Sequence, residues 1–243
     1  MPLHNDERYL HDSVQSVLSQ SYSNWELLIV DDCSTDNSPQ IVGDYCKKDS
    51  RIRCFKTDTP SGSPTLPRNI GIQNANGRYI AFLDSDDQWL PSKLENQVLL
   101  FNSNDDAIMV FSNYKKMNED GETHHLSVIA PPVTDYYRML KGNIMGCLSI
   151  MYDTEKVGKN YFPKCGHEDY ALWLSILKKG GKAYNTNTVE ALYRVKGKSV
   201  SSNKLIAMGW QWHIYRDIEN IGLVKSSFYF ANYAIKALFK RMK

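Results

Sequence analysis

The chain has 243 residues, of which 42% are hydrophobic and 23% charged, and its formal net charge is +2. That length suits one large core or a core with a short appendage, and the balance is ordinary for a soluble globular protein without the global field that gathers nucleic acid. Five scattered cysteines without a CxxC or Cys/His metal spacing fit a reducing compartment, and neither a run of about 18 apolar residues nor a secretory leader is present.

Apolar residues at Leu10, Val14, Val17 and Leu18 predict a helix over 9–20. Residues 25–30 are a short apolar run ending in charged turn residues, which reads as a buried parallel strand. A helix over 36–48, a strand over 51–55, a helix over 65–74 and a buried strand over 78–83 follow. Pro91 suits the first turn of a helix running to about residue 102, and 107–112 is a further strand. This β–α–β–α order implies a parallel sheet covered on both faces, with ligands bound beyond the carboxyl ends of its strands. From about residue 119 the pattern changes, with loops marked by Gly121, Pro131 and Pro132. Residues 142–151 read as a strand or as a loop lining the site. A helix over 168–179, ended by Gly180-Gly181, precedes short strands over 183–195 and two aromatic-rich helices over 202–243.

Acidic residues gather at two of the strand ends, Asp31-Asp32 and Asp84-Ser85-Asp86-Asp87. Asp84 and Asp86 stand at i and i+2 of an extended segment, so both can face one side, where they repel unless a cation lies between them. Mg²⁺ or Mn²⁺ favours such oxygen ligands and shares them with substrate phosphates; a solvated loop of aspartates is the plainer explanation. Asp31-Asp32 could accept from a base N–H or a ribose hydroxyl, whereas capping by Ser34 or Asp36 explains part of the same stretch. Glu168-Asp169 opens a helix, where the dipole alone favours acids; the functional alternative is a general base for an acceptor hydroxyl. Arg68 could hold a phosphate or a base oxygen, or be a surface arginine.

Four stretches, LLIVDDCSTDNS (27–38), PRNIGIQNANGRYIAFLDSDDQWLPSKL (67–94), GHEDYALWLSILKKG (166–180) and LYRVKGKSVSSNK (192–204), resemble glycosyltransferase family 2 in their order and separation. The resemblance runs to about residue 205. It implies an α/β GT-A fold, a Rossmann-like, mostly parallel sheet flanked by helices, over 1–205, with a C-terminal helical appendage over 206–243. The implied activity is inverting transfer of a sugar from a nucleotide-diphosphate donor, UDP by preference, to a saccharide or lipid-linked acceptor in surface polysaccharide or glycolipid synthesis. By the same resemblance Asp32 binds the donor base with Asp31 beside it, and Arg68 lies near the base or diphosphate. Asp84 faces the ribose and the metal, Asp86 is the ligand of Mn²⁺ or Mg²⁺, and Asp169 is the catalytic base, with Glu168 and Trp173 shaping the acceptor pocket. Many members carry histidine where this chain has Lys196; a protonated lysine cannot ligate a metal but can pair with the diphosphate.

The family's first strand is central, and here only Pro2, Leu3 and His4 remain of it. A shortened central strand leaves backbone groups unmet on two sides, which predicts residues upstream of Met1 or an unstable chain. At the other end, Phe228, Ala231, Ile235, Leu238, Phe239 and Met242 form an apolar stripe beside Lys225, Lys236, Lys240, Arg241 and Lys243. That combination suits an anionic membrane surface and hence a cytoplasmic protein peripheral on the inner face, although a docked helix with a solvated basic end fits as well. Two other classes remain open on sequence. One is a sugar-nucleotide pyrophosphorylase, whose glycine-rich basic loop is not visible; the other is a truncated or degenerate, non-catalytic sugar-nucleotide binding or partner protein.

Overall fold

The computed structural model describes residues 1–197 and 204–239. Its first sheet is parallel and three-stranded: β1 (Pro2–Leu3), β2 (Leu27–Asp31) and β3 (Ile52–Lys56), in that order. Two helices make the crossovers, α1 (Glu7–Leu18) and α2 (Ser38–Lys48). Every residue of β2 is buried, and its first four, Leu27–Val30, form an unbroken apolar run, as a strand covered on both faces requires.

The chain continues through α3 (Thr65–Asn74), β4 (Tyr79–Ala81), β5 (Gln88–Trp89), α4 (Lys93–Asn102), β6 (Ala107–Met117), β7 (Thr123–Val128), β8 (Val133–Thr134), α5 (Tyr136–Met139), β9 (Met151–Asp153), α6 (Thr154–Val157), α7 (Glu168–Leu177), β10 (Lys182–Arg194), α8 (Lys204–His213) and α9 (Leu223–Phe239). The second sheet runs β4-β9-β6-β10-β5, with β7 added beside β6 and β8 beside β10. It is mixed: β10 lies parallel to β6, and the other pairs are antiparallel. The parallel order expected for the front of the chain therefore holds in the first sheet, and the later strands add antiparallel partners. The short strands read over 183–195 are one long strand. Register shifts at Asn185/Val189 and Val189/Ala191, with Asn187 at φ 62°, interrupt its apolar pattern without ending it.

Two apolar clusters fill the molecule. One joins α1 to β2 and α4 through Leu10, Val14, Ile29, Trp89 and Phe101. The other surrounds α7, whose Tyr170–Leu174, Ile176 and Leu177 are all buried. A helix apolar on nearly all sides has to be central, and α7 is. Ile214 and Tyr215, in a π-helical turn that follows α8, are fully buried in the same cluster. Tyr215 donates to the Leu140 carbonyl at 2.6 Å, and Glu219 accepts from Lys178 at 2.9 Å.

A cavity of about 670 Å³ separates β2 from β4, lined by Met1, Leu27, Leu28, Ile80 and Phe82. The Met1 ammonium donates to the Leu28 carbonyl at 2.9 Å, and burial depresses its pKa to about 5. On α9, Val224, Phe228 and Ile235 are exposed on one face. Of the basic stripe expected there, residues 240–243 and the side chains of 236–239 lie outside the described residues, as do residues 198–203 of the fourth motif. Among the described residues no helix is long and apolar enough to cross a membrane.

Candidate active site

The carboxyl ends of β2 and β4, the turn after β1 and the start of α7 meet around two adjoining cavities. The smaller, about 500 Å³, is lined by His4, Asp6, Asp32, Pro60, Gly62–Pro64, Asp84 and Asp86. The larger, about 1140 Å³, shares Gly62–Pro64, Asp84 and Asp86 and extends past Arg68 and Lys196 to Glu168 and Asp169. Residues distant in sequence thus converge: Asp32 at one end, the Asp84/Asp86 pair between, and Asp169 at the other.

Asp32 continues the chain from β2 and is buried, and its carboxylate is held by the loop that follows β3. It accepts from the Thr57 hydroxyl at 2.8 Å, the Ser61 N–H at 2.9 Å and the Ser61 hydroxyl at 2.8 Å. Burial pushes its pKa upward, but these donors win and hold it below the ordinary carboxylate value. The side chain therefore stays charged and ties the 57–64 loop against the cavity. Asp31, one residue earlier, lines neither cavity, because successive side chains alternate across a strand; its carboxylate accepts from the Ser34 N–H at 3.0 Å.

The acidic turn after β4 is clamped from several directions. Ser13 of α1 donates to the carbonyls of Ser85 and Asp87 at 2.8 and 2.6 Å. The Arg194 N–H donates to the Asp87 carboxylate at 2.8 Å, and the Arg194 Nε to the Asp86 carbonyl at 2.8 Å. Within this frame each outward carboxylate has its own cation. Arg68, from α3, donates to both oxygens of Asp84 at 2.7 and 3.0 Å and to Glu168 at 3.1 Å. Lys196 pairs with Asp86 and Asp6, each at 2.8 Å. Burial, ahead of the pull from Lys196, leaves the Asp86 carboxyl above its usual range. Burial would also lower the Lys196 pKa, but its two carboxylate partners outweigh that and raise it.

At the other end of the larger cavity, His167 takes a left-handed conformation (φ 54°) and turns the chain into α7. The first-turn pair Glu168-Asp169 then divides its work. Glu168 faces Arg68, whereas Asp169 accepts from the Tyr170 N–H at 2.6 Å and from Asn143 at 3.3 Å. Burial first, then the neighbouring Glu168, lifts the Asp169 carboxyl to about 6. A carboxylate with that pKa is charged at neutral pH and basic enough to take a proton from a hydroxyl. Trp173, read from sequence as part of this pocket, is instead fully buried in the core, with ring centroids 5.6 Å from Phe82 and 5.9 Å from Phe162. Its indole faces the interior because the apolar core claims that side of α7.

An aromatic of the cavity comes from further along the chain. Trp210 of α8 lies against Gly166, where an added Cβ would fall 2.0 Å from its Cδ2, so only glycine admits the indole. The His167 ring meets it edge-on at 5.3 Å. Asp6, Asn143 and Trp210 were not singled out for the site from sequence. Asp6 follows the first strand, the same signal that marked Asp32 and Asp84, and Asn143 falls in the segment read as lining the site; nothing local marked Trp210.

Among the described residues no group of three or more histidine, cysteine, aspartate or glutamate side chains is arranged to hold a metal. Asp84 and Asp86 line both cavities and present hard oxygens, which fits an ion that draws the rest of its shell from phosphate and water.

Residues 1–153 match the family described as glycosyl transferase family 2. A protein of Bacillus subtilis (strain 168), provisionally named as the teichuronic acid biosynthesis glycosyltransferase TuaG, is 41% identical over 99% of this chain and 95% of its own length. The UDP-Glc:alpha-D-GlcNAc-diphosphoundecaprenol beta-1,3-glucosyltransferase WfgD of Escherichia coli is 36% identical over 97% of this chain and 90% of its own. In fold, the chain resembles S. aureus TarS 1-349 in complex with UDP-GlcNAc, with a TM-score of 0.75 at 20% identity over 96% of this chain and 70% of that one.

Proposed function

The chain belongs to glycosyl transferase family 2, and from that premise we propose that it moves a sugar from a UDP-sugar to a hydroxyl of a lipid-linked saccharide, with inversion, in surface polysaccharide synthesis. It is a glycosyltransferase of α/β GT-A fold, and a nucleotide-sugar donor fits its site. The donor and acceptor classes are those in the name of the glucosyltransferase relative. The observation that carries the reading is the shared lining of the two cavities, which puts Asp32, the Asp84/Asp86 pair and Asp169 along one continuous space.

In this reading the smaller cavity takes the nucleoside, with the Asp32 carboxylate accepting from the base and the 57–64 loop closing over it. Asp31 supports the turn beneath. Asp86 and Asp84 would hold Mn²⁺ or Mg²⁺, and the ion would supply positive charge that neutralises the departing nucleoside diphosphate. Arg68 keeps Asp84 and Glu168 apart in charge and fixed in place, and Lys196 adds a positive charge on the same side. Asp169, across the larger cavity, takes the proton of the acceptor hydroxyl as its oxygen attacks the sugar carbon opposite the leaving diphosphate. Glu168 keeps that base raised in pKa. Residues 1–205 form the transferase unit in this account, and the helices from 206 onward complete the acceptor side through Trp210.

The test is release of nucleoside diphosphate across a panel of donors with Mn²⁺ and with Mg²⁺. Activity should fall to background in Asp86→Ala and Asp169→Asn, and full release by both variants would sink the assignment. We further propose cytoplasmic location with peripheral attachment through the exposed Val224, Phe228 and Ile235 of α9 and the lysines that follow. Flotation with anionic vesicles should be lost on deleting residues 223–243, and undiminished flotation rules out that attachment.

A further inference from the structure

Lys196 stands between two carboxylates from separate parts of the chain. Its ammonium is 2.8 Å from Asp6 Oδ1 and 2.8 Å from Asp86 Oδ2, and 4.9 Å from the centroid of the Tyr9 ring. Asp6 lies between β1 and α1, Asp86 follows β4, and Lys196 lies just past β10. Both acceptors are anchored independently of the lysine: Asp6 by the Ser85 hydroxyl, and Asp86 through its backbone carbonyl by Arg194.

The other cation of the site differs in one decisive respect. The Arg68 side chain is 5% exposed and locked between Asp84 and Glu168, whereas the Lys196 side chain is 36% exposed. A lysine ammonium on four rotatable carbons can leave its partners without unpacking the core, and a buried guanidinium cannot. An ammonium has no lone pair to offer a metal, and a divalent ion bound to the same Asp86 carboxylate would sit a few ångströms from it, where like charges repel.

We propose that Lys196 is an exchangeable counter-ion, which neutralises Asp86 in the empty site and yields that carboxylate to a divalent cation when donor binds, its ammonium then turning to the diphosphate within the same cavity. The inference rests on the transferase reading and deepens it. It predicts effects of opposite sign from one substitution: losing the ammonium strengthens binding of the bare ion and weakens binding of nucleoside diphosphate. A lysine that merely held the fold together would, on removal, weaken both.

The experiment measures Mn²⁺ binding to the full chain without donor, by loss of the free-ion paramagnetic signal, and UDP binding by calorimetry at saturating Mn²⁺. Wild type, Lys196→Met, Lys196→Gln and Lys196→Arg are compared after thermal unfolding identifies those that are folded. Both neutral variants, of which Lys196→Gln retains an N–H donor and Lys196→Met none, should bind Mn²⁺ about tenfold tighter and UDP about tenfold weaker, with Lys196→Arg close to wild type in Mn²⁺ affinity. Mn²⁺ binding that is unchanged or weaker in a folded neutral variant overturns the proposal. If wild type fails to bind UDP with or without Mn²⁺, the transferase reading fails instead, so the two failures are distinguishable.

Discussion

Replacing Asp169 with asparagine should abolish transfer and stabilise the protein. Its carboxyl is lifted from 3.8 to about 6, with burial the largest cause. At about 1.36 kcal/mol per pH unit, keeping it charged disfavours the fold by about 3 kcal/mol, and solvent on its cavity side trims this to about 1–2 kcal/mol. The sign follows from linkage: the folded pKa exceeds the unfolded one, so the penalty is fully present above about 6 and fades as pH falls toward 3.8. For a chain of this size, the gain should raise the melting temperature by about 2–6 °C at about pH 8. Wild type and Asp169→Asn should converge in stability near about pH 4. Activity should drop by about 10²–10⁴-fold in the variant, and wild-type kcat/KM should fall below about pH 6 as one proton is taken up. A variant no more stable than wild type at alkaline pH, or a wild-type acid limb far from 6, refutes the account of Asp169 as a desolvated base.

Two other substitutions separate the ends of the site. Asp32→Ala removes the acceptor for Thr57 and Ser61 and should raise KM for the donor by about tenfold or more while leaving acceptor KM near wild type, because a lost charge-assisted hydrogen bond is worth about 1.5–3 kcal/mol; equal rises in both would contradict the division. Trp210→Ala should do the reverse, raising acceptor KM about 2–10-fold through loss of an aromatic wall, with slow donor hydrolysis unaffected in a variant confirmed to be folded. A matching loss of donor affinity would place Trp210 outside the acceptor half.

The end of the site around Asp32, Asp84 and Asp86 was legible because its acids follow strand ends. Leu27–Val30 is apolar throughout for burial on both faces, and the acids that follow, Asp31 and Asp32, mark the end of the strand. Asp84 and Asp86 could be paired by spacing alone, and the helix Thr65–Asn74 has the bounds read from its pattern. The end around α7 was less so. Helical periodicity told that α7 is apolar, but not which indole faces the core, so Trp173 was misassigned. The β7 hairpin strand, Thr123–Val128, is mostly exposed and lacks the alternation that burial imposes. Trp210 enters the cavity through its fit to Gly166, a tertiary contact with no local trace in the chain. Arg68 was expected beside the base or diphosphate of a donor; the structure seats it between Asp84 and Glu168, an arrangement that depends on how α3 and α7 approach each other.

That shared guanidinium joins the turn after β4 to the first turn of α7 through one side chain. Whatever draws Asp84 away from Arg68 leaves Glu168 as its remaining counter-charge, tightening the first helical turn in which Asp169 sits. Under the roles proposed above, a sugar nucleotide engaging Asp84 should be felt at Asp169, and by thermodynamic reciprocity an acceptor engaging that turn should secure the nucleotide. Ordered addition, nucleotide first, is the kinetic form such reciprocity takes; random order would mean the coupling is absent.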